Sequence, residues 1–174
     1  FDVESPGVFA LMPDDFTGMK PKVVVKEGDT VKVGDALFVD KNHPEVKVVS
    51  SVSGKVTMVE RGDRRKLLSV RVAADENQQY VDFGKRSVEQ MTAQDVKQFL
   101  LETGLFAFLK QRPYDVVACP DDTPKAIFVS AFNSMPLAAD FEYVLQGRES
   151  DFQTGLNVLA KLAKTHLGVS TKQT

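Results

Sequence analysis

The sequence contains a single cysteine, Cys119, among its 174 residues. One cysteine excludes an intrachain disulfide, a CxxC metal pair and the set of thiolates that an iron–sulfur cluster requires. This cysteine usage is typical of proteins in a reducing compartment, and we expect a cytoplasmic setting.

Long apolar runs are also missing. No run approaches the roughly 18 to 20 residues of a membrane helix, because Lys or Glu interrupts the apolar stretches around Val23 and Leu105. The N-terminus shows neither the basic nor the apolar region of a signal peptide. We therefore expect a soluble chain. Because Phe1 opens directly into an acidic stretch, we also expect it to be part of a longer protein.

An excess of positive charge is absent as well. The 22 Lys and Arg residues nearly balance 24 Asp and Glu residues, so the formal net charge is -2. A nucleic-acid partner is not expected, since domains that bind polyanions are distinctly basic. With 43% hydrophobic residues, a chain of this length can bury a core and is long enough for two units.

The first half reads as all-β. From Pro21 to Ala73, short runs rich in Val alternate with turns that contain Gly-Asp pairs. Glycine tolerates positive φ and aspartate bonds its own backbone, so each pair predicts a tight reversal. The pairs are Gly28-Asp29, Gly34-Asp35 and Gly62-Asp63. The polar stretch from Asp75 to Arg86 has little periodicity and is predicted to be a linker.

The second half reads as α/β. A helix is predicted from Thr92 to Thr103, with Thr92 and Asp95 as its cap and Gly104 as its terminator, and a second short helix is predicted beyond it. The run AIFVSA at residues 126–131 predicts a strand buried on both faces of a parallel sheet. The last helix is predicted from about Asp151 to His166. Ser150 is its expected N-cap and Gly168 its expected stop. The residues expected to face inward are Leu156, Leu159 and Leu162.

One segment of the first half carries a recognisable motif. VKEGDTVKVGDALF, at residues 25–38, places two strands and two Gly-Asp turns at fixed spacing. SSVSGKV, at residues 50–56, supplies the second half of the motif, in which Gly54 occupies the turn that begins the returning strand. Together they resemble lipoyl and biotinyl barrel-sandwich domains. In carriers of that family a lysine at the tip of the connecting hairpin bears the prosthetic group, which would make Lys41 a modification site. Pro44 and the length of the connection favour a solvated loop lysine instead.

Three blocks of the chain carry a more specific resemblance. They are residues 18–56, ETGLFAFLKQRP at residues 102–113, and AIFVSAFNSMPLAAD at residues 126–140. In this order and spacing they resemble the A subunits of the bacterial sodium-translocating NADH:quinone reductases. The resemblance implies an α+β chain, with a barrel-sandwich hybrid β-domain at residues 1–80 and the start of a Rossmann-like α/β domain at residues 87–174.

The resemblance also implies a function. It predicts a peripheral subunit on the cytoplasmic side of the bacterial inner membrane, in a complex that couples electron transfer from NADH to quinone to sodium export. The implied partners are the other subunits and quinone. The complex uses NADH, flavins, iron centres and quinone, and the flavins and iron centres belong to other subunits.

No cofactor is expected on this chain itself. A dinucleotide fold needs a glycine-rich turn whose amides reach a pyrophosphate, and no GxGxxG occurs in the sequence. The sequence therefore assigns no catalytic, cofactor-binding or metal-binding residue, and the isolated chain is expected to be inactive.

Several residues have a functional and a structural interpretation. Asn133, Ser134 and Asp140 follow the predicted strand, where α/β sheets place ligands. The favoured interpretation is a polar turn that Asn133 caps by local backbone bonding. Cys119 is expected to be a buried, inert thiol without a nearby histidine, and His43 and His166 to be surface residues without carboxylates at ligand spacing.

Two further clusters are weighed in the same way. One is a basic cluster that could contact an acidic subunit or anionic lipid, or could be a solvated turn. The other is an apolar stretch that could be core or a subunit contact. Their members are Arg61, Arg64, Arg65 and Lys66 for the first, and Leu105, Phe106, Phe108 and Leu109 for the second.

Three other functions are considered beside the preferred one. The electron-transport subunit of the related ferredoxin-linked complex is disfavoured by the single cysteine. A lipoyl- or biotinyl-type carrier modified at Lys41 and a plain interaction module remain as alternatives.

Overall fold

The structure, a computed structural model, describes residues 6–171. The chain divides into two compact units. We call the first, Phe1–Gly84 with Phe99–Asp122, the β unit, and the second, Lys85–Gln98 with Thr123–Thr174, the α/β unit.

The β unit is built from antiparallel strands. The strands are β1 Val8–Leu11, β2 Pro21–Val23, β3 Thr30–Val31, β4 Ala36–Asp40, β5 Lys47–Val49, β6 Gly54–Arg61, β7 Leu67–Ala74, β8 Lys110–Gln111 and β9 Val116–Val117. A four-stranded sheet has the order β1-β7-β6-β3, a three-stranded sheet has the order β2-β4-β5, and a separate hairpin joins β8 and β9. The predicted barrel-sandwich hybrid is confirmed.

Both larger sheets contribute to the core of the β unit. Phe38 and Val48 from the three-stranded sheet, and Val56 and Val70 from the four-stranded sheet, are almost inaccessible to solvent. Each such side chain contributes roughly 1.5 to 3 kcal/mol of burial free energy relative to an exposed one. Phe16 completes this core, with an edge-to-face contact to Phe38 at 5.9 Å between ring centroids.

The first two Gly-Asp turns are alike, as their sequences predict. Gly28 and Gly34 have φ of 95° and 100°. The carboxylate of Asp29 accepts from the amide of Lys26 at 2.8 Å, and that of Asp35 from the amide of Lys32 at 2.7 Å. Each turn is therefore fixed by its own residues.

The third turn forms where it was predicted, but its glycine does not carry the positive φ. Gly62 has φ of -96°, and the positive values fall on Arg64 at 53° and Arg65 at 63° instead. The turn is a 3-10 turn, Asp63–Arg65, closed by a hydrogen bond from the Gly62 amide to the Lys66 carbonyl at 2.8 Å. The longer loop between β6 and β7 moves the reversal two residues past the glycine.

The β6–β7 ladder contains two irregularities. Between Val56 and Met58, Thr57 is an extra residue on β6, and opposite Glu60 and Arg61, Leu68 is an extra residue on β7. Such bulges bend the strands and increase their twist. The curl of the four-stranded sheet is consistent with them.

The segment predicted as a linker is partly bonded to the β unit. Gln79 accepts from the Val33 amide and Val81 donates to the Val33 carbonyl, both at 2.9 Å. The Gln78 side chain accepts from the Ser53 amide at 2.6 Å. Residues 78–81 are therefore held within the β unit by these bonds, although they belong to none of its strands.

The first predicted helix is confirmed. Helix α1 spans Ala93–Thr103, and Thr92 and Asp95 bond each other reciprocally, with the Thr92 amide donating to the Asp95 carboxylate at 2.8 Å. Gly104 follows it with φ of 77°, as a terminator requires. The predicted second helix is wrong. Only a 3-10 turn, Leu105–Phe108, forms, and the following residues pair as β8 with β9 instead of continuing a helix.

The α/β unit contains a strand–helix–strand crossover. Strand β10, Ala126–Ser130, is followed by α2, Phe141–Leu145, by α3, Glu149–Leu162, and by β11, Lys164–Gly168, which pairs parallel to β10. Parallel strands need such a crossover, so the predicted α/β class of this half is confirmed.

Three details of the α/β prediction were wrong. The last helix ends at Leu162, and His166 lies on β11, since pairing with β10 overrides the helical pattern. Arg148 rather than Ser150 precedes its first residue. Strand β10 is not buried on both faces, because Phe128 is 78% exposed. Leu156, Leu159 and Leu162 are half-buried on α3.

Within residues 6–171, no helix combines the length and apolar character that crossing a bilayer demands.

Candidate functional site

The loop at residues 41–46 joins β4, the central strand of the three-stranded sheet, to β5 at its edge. The buried carboxylate of Asp40 fixes its start by accepting from the amides of Lys20 and Asn42, both at 3.1 Å. Lys41 donates its amide to the Lys20 carbonyl at 2.8 Å, and its side chain is exposed. Lys41 therefore lies at the base of the loop, directly after β4, and not at its tip.

His43, in the same loop, faces a group of side chains from a distant segment. Its Nε2 lies 3.7 Å from the Cys119 Sγ. Its Nδ1 lies 3.7 Å from a Glu45 carboxylate oxygen and 3.9 Å from an Asp121 carboxylate oxygen. One ligand atom each from His43, Cys119 and Asp121 fall within 4.8 Å of one another. We call these three residues the His43–Cys119–Asp121 cluster.

This geometry corrects two expectations. Cys119 is half-buried, and a histidine lies beside it. His43 is 30% exposed and has two carboxylates near its ring. Sequence reasoning missed the cluster because 76 residues separate His43 from Cys119 and no local spacing connects them. Pairing of thiol and imidazole, or ligation of a metal, is the chemistry that such a group can perform.

Two backbone turns position the cluster within the β unit. The Val46 amide donates to the His43 carbonyl at 2.9 Å, and the Asp122 amide donates to the Cys119 carbonyl at 3.2 Å. The Ala118 amide, just before Cys119, donates to the Leu109 carbonyl at 2.8 Å. Both contributing segments are therefore held by hydrogen bonds independent of the side chains.

The polar residues after β10 act locally. Asn133 accepts from the Met135 amide at 3.0 Å. Asp140 caps α2 by accepting from the amides of Glu142 and Tyr143, at 2.9 and 3.4 Å. Ser134 is exposed. The capping interpretation explains Asn133 and Asp140, and the structure does not gather these residues around a common point.

The other histidine is separate from this chemistry. His166 is exposed on β11, and its ring stacks on Phe128 with 5.1 Å between centroids and 14° between planes. It belongs to the α/β unit, whereas His43 belongs to the β unit.

The basic hairpin turn, defined by Arg61, Arg64, Arg65 and Lys66, is exposed between β6 and β7. Lys66 pairs with Asp14 at 2.9 Å, and Arg61 donates to the Arg65 carbonyl at 3.2 Å. Arg61 also lines an open groove of about 430 Å³ with Val24 and Val59. Two of the four cations are thus engaged locally, and the turn has a definite conformation.

Glu60 balances part of the charge beside this turn. It accepts from Ser69 and from Arg71, both at 2.8 Å. The Ser69 hydrogen bond, followed by the bond and charge of Arg71, lowers the pKa of the Glu60 carboxyl below its ordinary value of 4.5. The carboxylate stays ionised as a fixed partner within the sheet.

The apolar stretch after α1 is divided between core and surface. Phe106 is buried, whereas Leu105 and Phe108 are exposed. Phe108 nevertheless contacts Phe16 edge to face at 5.7 Å. The core interpretation holds for Phe106, and Leu105 remains available to a partner.

The described part of the α/β unit exposes eight large apolar side chains, which we call the exposed apolar set. Its members are Phe128, Phe132, Met135, Leu137, Tyr143, Val144, Leu167 and Val169. Exposed apolar surface, where it is extensive, marks interaction sites in soluble proteins.

Comparison with known families gives matches over both halves of the chain. Residues 1–75 match the family model described as the NqrA N-terminal barrel-sandwich hybrid domain, and residues 91–174 match the NqrA second alpha/beta domain.

Curated relatives agree with these matches. A protein of Actinobacillus pleuropneumoniae serotype 5b is 40% identical over 155 residues, which cover 88% of this chain and 34% of the relative. Proteins of Pseudomonas aeruginosa and Yersinia pseudotuberculosis are 39% and 38% identical, over 91% of this chain and 36% of each relative. All three are named as the A subunit of a Na(+)-translocating NADH-quinone reductase.

The chain spans about a third of the length of these curated relatives. Its two family matches follow one another along the chain, and together they cover most of the sequence. The chain therefore belongs to the NqrA family, whose curated members are the A subunits of Na(+)-translocating NADH-quinone reductases.

Proposed function

We propose that this chain forms the first two domains of a peripheral subunit on the cytoplasmic side of a sodium-pumping NADH:quinone oxidoreductase. In this role it helps to couple electron transfer from NADH to quinone to sodium export. The observation that carries the proposal is the succession of two NqrA family matches along one chain.

The proposed contribution of these domains is structural. The β unit has a self-contained core and supplies a rigid platform. Its carrier-like loop holds Lys41 at the base, where the amide is bonded to Lys20, which favours a platform over a swinging arm. The electron carriers of the complex are proposed to lie in other subunits, with quinone as the small-molecule partner of the assembly.

The proposed contact with the remainder of the complex is the exposed apolar set of the α/β unit. A two-stranded parallel sheet normally has both faces covered, yet Phe128 is largely exposed on β10. The basic hairpin turn is a second contact candidate, suited to an acidic subunit or anionic headgroups.

Site-specific photocrosslinking in the assembled complex tests this proposal. A photoreactive residue at Leu137 or Tyr143, both exposed, should crosslink to other parts of the complex, and one at Arg64 should do so more weakly. A matched control at Lys55, exposed on β6 of the β unit, should give no intermolecular product. Crosslinks from Lys55 alone would place the interface elsewhere, and failure to copurify with the reductase would refute membership.

The proposal also predicts a colourless chain without NADH oxidation. Its motivation is the missing glycine-rich turn in the sequence. A stoichiometric flavin absorbance band in the purified chain would contradict the assignment of flavins to other subunits.

The carrier alternative is decided separately by intact mass. Lys41 is exposed in the connecting loop, so a ligase could reach it. A native mass equal to that of the unmodified sequence excludes a carrier, whereas an added lipoyl or biotinyl mass removed by Lys41→Arg would establish one.

A further inference from the structure

The His43–Cys119–Asp121 cluster shares no residue with the contact surfaces proposed above, and the proposed function gives it no role. Its three side chains are a thiol, an imidazole and a carboxylate, contributed by two segments of the β unit. We propose that this cluster is a binding site for a zinc ion.

The spacing of the cluster fits tetrahedral zinc. With Zn–S near 2.3 Å and Zn–N near 2.0 to 2.1 Å, a tetrahedral site places sulfur and nitrogen about 3.6 Å apart. The Cys119 Sγ and His43 Nε2 lie 3.7 Å apart. The Asp121 ligand atom lies within 4.8 Å of the other two. Its carboxylate is 3.9 Å from Nδ1, so ligation beside Nε2 requires an adjustment of the side chain. Asp121, 80% exposed, can make that adjustment.

The donor types select zinc among the common metal ions. Calcium and magnesium require oxygen ligands, and a thiolate and an imidazole would not replace them. Sulfur, nitrogen and oxygen together are the donors that zinc accepts. With three protein ligands, the fourth position belongs to water.

Glu45 is placed to orient the histidine from its far side. Its carboxylate lies 3.7 Å from Nδ1, and the other ring nitrogen, Nε2, is the one 3.7 Å from the Cys119 Sγ. When Nε2 binds the metal, Nδ1 carries the ring proton and can donate it to this carboxylate. A carboxylate in this position fixes the ring of a metal-binding histidine and raises its basicity.

The backbone around the cluster is fixed without the metal. Turns at His43 and Cys119 are closed by the hydrogen bonds from Val46 and Asp122, and β8 and β9 hold the approach to Cys119. A zinc ion here would join residues 76 positions apart in sequence and, because the site exists only in the folded chain, would stabilise the folded state.

Zinc titration of the chain, free of any polyhistidine tag, tests the site. One equivalent should bind with micromolar or tighter affinity and raise the melting temperature. Cys119→Ser and His43→Gln should each weaken binding at least tenfold and remove the rise, while Glu45→Gln should weaken it roughly 10- to 100-fold. The control His166→Gln, which changes the other histidine, should bind as the unaltered chain does.

Cobalt supplies a readout of the ligands themselves. Co²⁺ added to the unaltered chain should give a sulfur-to-metal charge-transfer band in the near ultraviolet that Cys119→Ser abolishes. Circular dichroism without metal should be the same for all variants, which separates loss of a ligand from loss of the fold. Zinc should also slow alkylation of Cys119 by iodoacetamide several-fold.

Three results would overturn the proposal. They are binding only at millimolar zinc, binding that survives both Cys119→Ser and His43→Gln, and an alkylation rate that zinc leaves unchanged. The last would assign the cluster to a thiol–imidazole pair without metal.

Discussion

The two units differ in how much of their apolar surface they bury. In the β unit, fifteen apolar residues are buried, among them Leu37, Phe38 and Val70, which are fully inaccessible. In the described part of the α/β unit, Val96 and Ala131 are the only buried apolar residues. The β unit is therefore expected to be stable on its own contacts, whereas the α/β unit presents apolar side chains suited to further partners.

The strongest test of this contrast removes one phenylalanine ring from each unit. Phe38→Ala should destabilise the β unit by about 3 to 5 kcal/mol, because it opens a cavity in a closed core. Phe128→Ala should cost about 1 kcal/mol or less, since the ring is mostly exposed and packs on His166. Urea unfolding followed by circular dichroism measures both, and equal costs would remove the distinction between the units.

A glycine substitution in each unit should have opposite signs. In Gly54→Ala, the new Cβ would clash with the Ala73 carbonyl oxygen, so the hairpin must shift and stability should fall by roughly 1 to 3 kcal/mol. In Gly155→Ala, the Cβ meets nothing within 4 Å and α3 should gain about 0.5 to 1 kcal/mol. Thermal melts compare the two, and a loss for Gly155→Ala would indicate an unrecognised constraint on α3.

The cap of α1 tests a smaller, local contribution. Thr92→Ala removes the hydroxyl that accepts from the Asp95 amide at 3.2 Å, and should cost about 1 kcal/mol. Thr154→Ala, inside α3, serves as control, because its hydroxyl bonds only the Ser150 carbonyl of its own helix. Amide hydrogen exchange in the first turn of α1 should rise for the first variant alone.

The smallest expected effects come from two surface carboxylates, one in each unit. Hydrogen bonds from the side chain and the amide of Thr92 lower the pKa of Asp95 below its ordinary value of 3.8, and Ser69 and Arg71 lower that of Glu60. A lowered pKa in the folded state means that the stabilisation is complete above the ordinary value. It is lost as pH falls through the folded value.

Carboxyl-carbon NMR titration measures both groups directly. Midpoints below 4.5 for Glu60 and below 3.8 for Asp95 are expected. Glu60→Gln and Asp95→Asn should each make the free energy of unfolding depend less on pH in the acidic range. A midpoint at or above the ordinary value would show that the hydrogen bonds do not persist in solution.

Local features of the fold were predictable from the sequence, and non-local ones were not. The turns at Gly28 and Gly34 and the cap at Thr92 depend on residues within three positions, so their chemistry is visible in the sequence. Strand β11 was missed because its helical pattern is overridden by pairing with β10, which lies far away in sequence.

The candidate metal site illustrates the same limit more sharply. His43 and Cys119 each have ordinary sequence surroundings, and only the folded β unit brings Nε2 to 3.7 Å from Sγ. Family membership, by contrast, was predictable, because it depends on ordered blocks of sequence and not on contacts between them.

The two bulges in the β6–β7 hairpin compensate each other. Thr57 is the extra residue on one strand and Leu68 on the other, so the pairing that begins with Gly54 opposite Ala74 returns to the same phase at Arg61 opposite Leu67. Only the stretch between the bulges is out of step. Deleting either residue alone would put the basic hairpin turn in the opposite phase, with its side chains exchanging faces. Deleting both residues would shorten each strand by one residue and keep the strand register at both ends of the hairpin. Each bulge therefore restores the register that the other shifts.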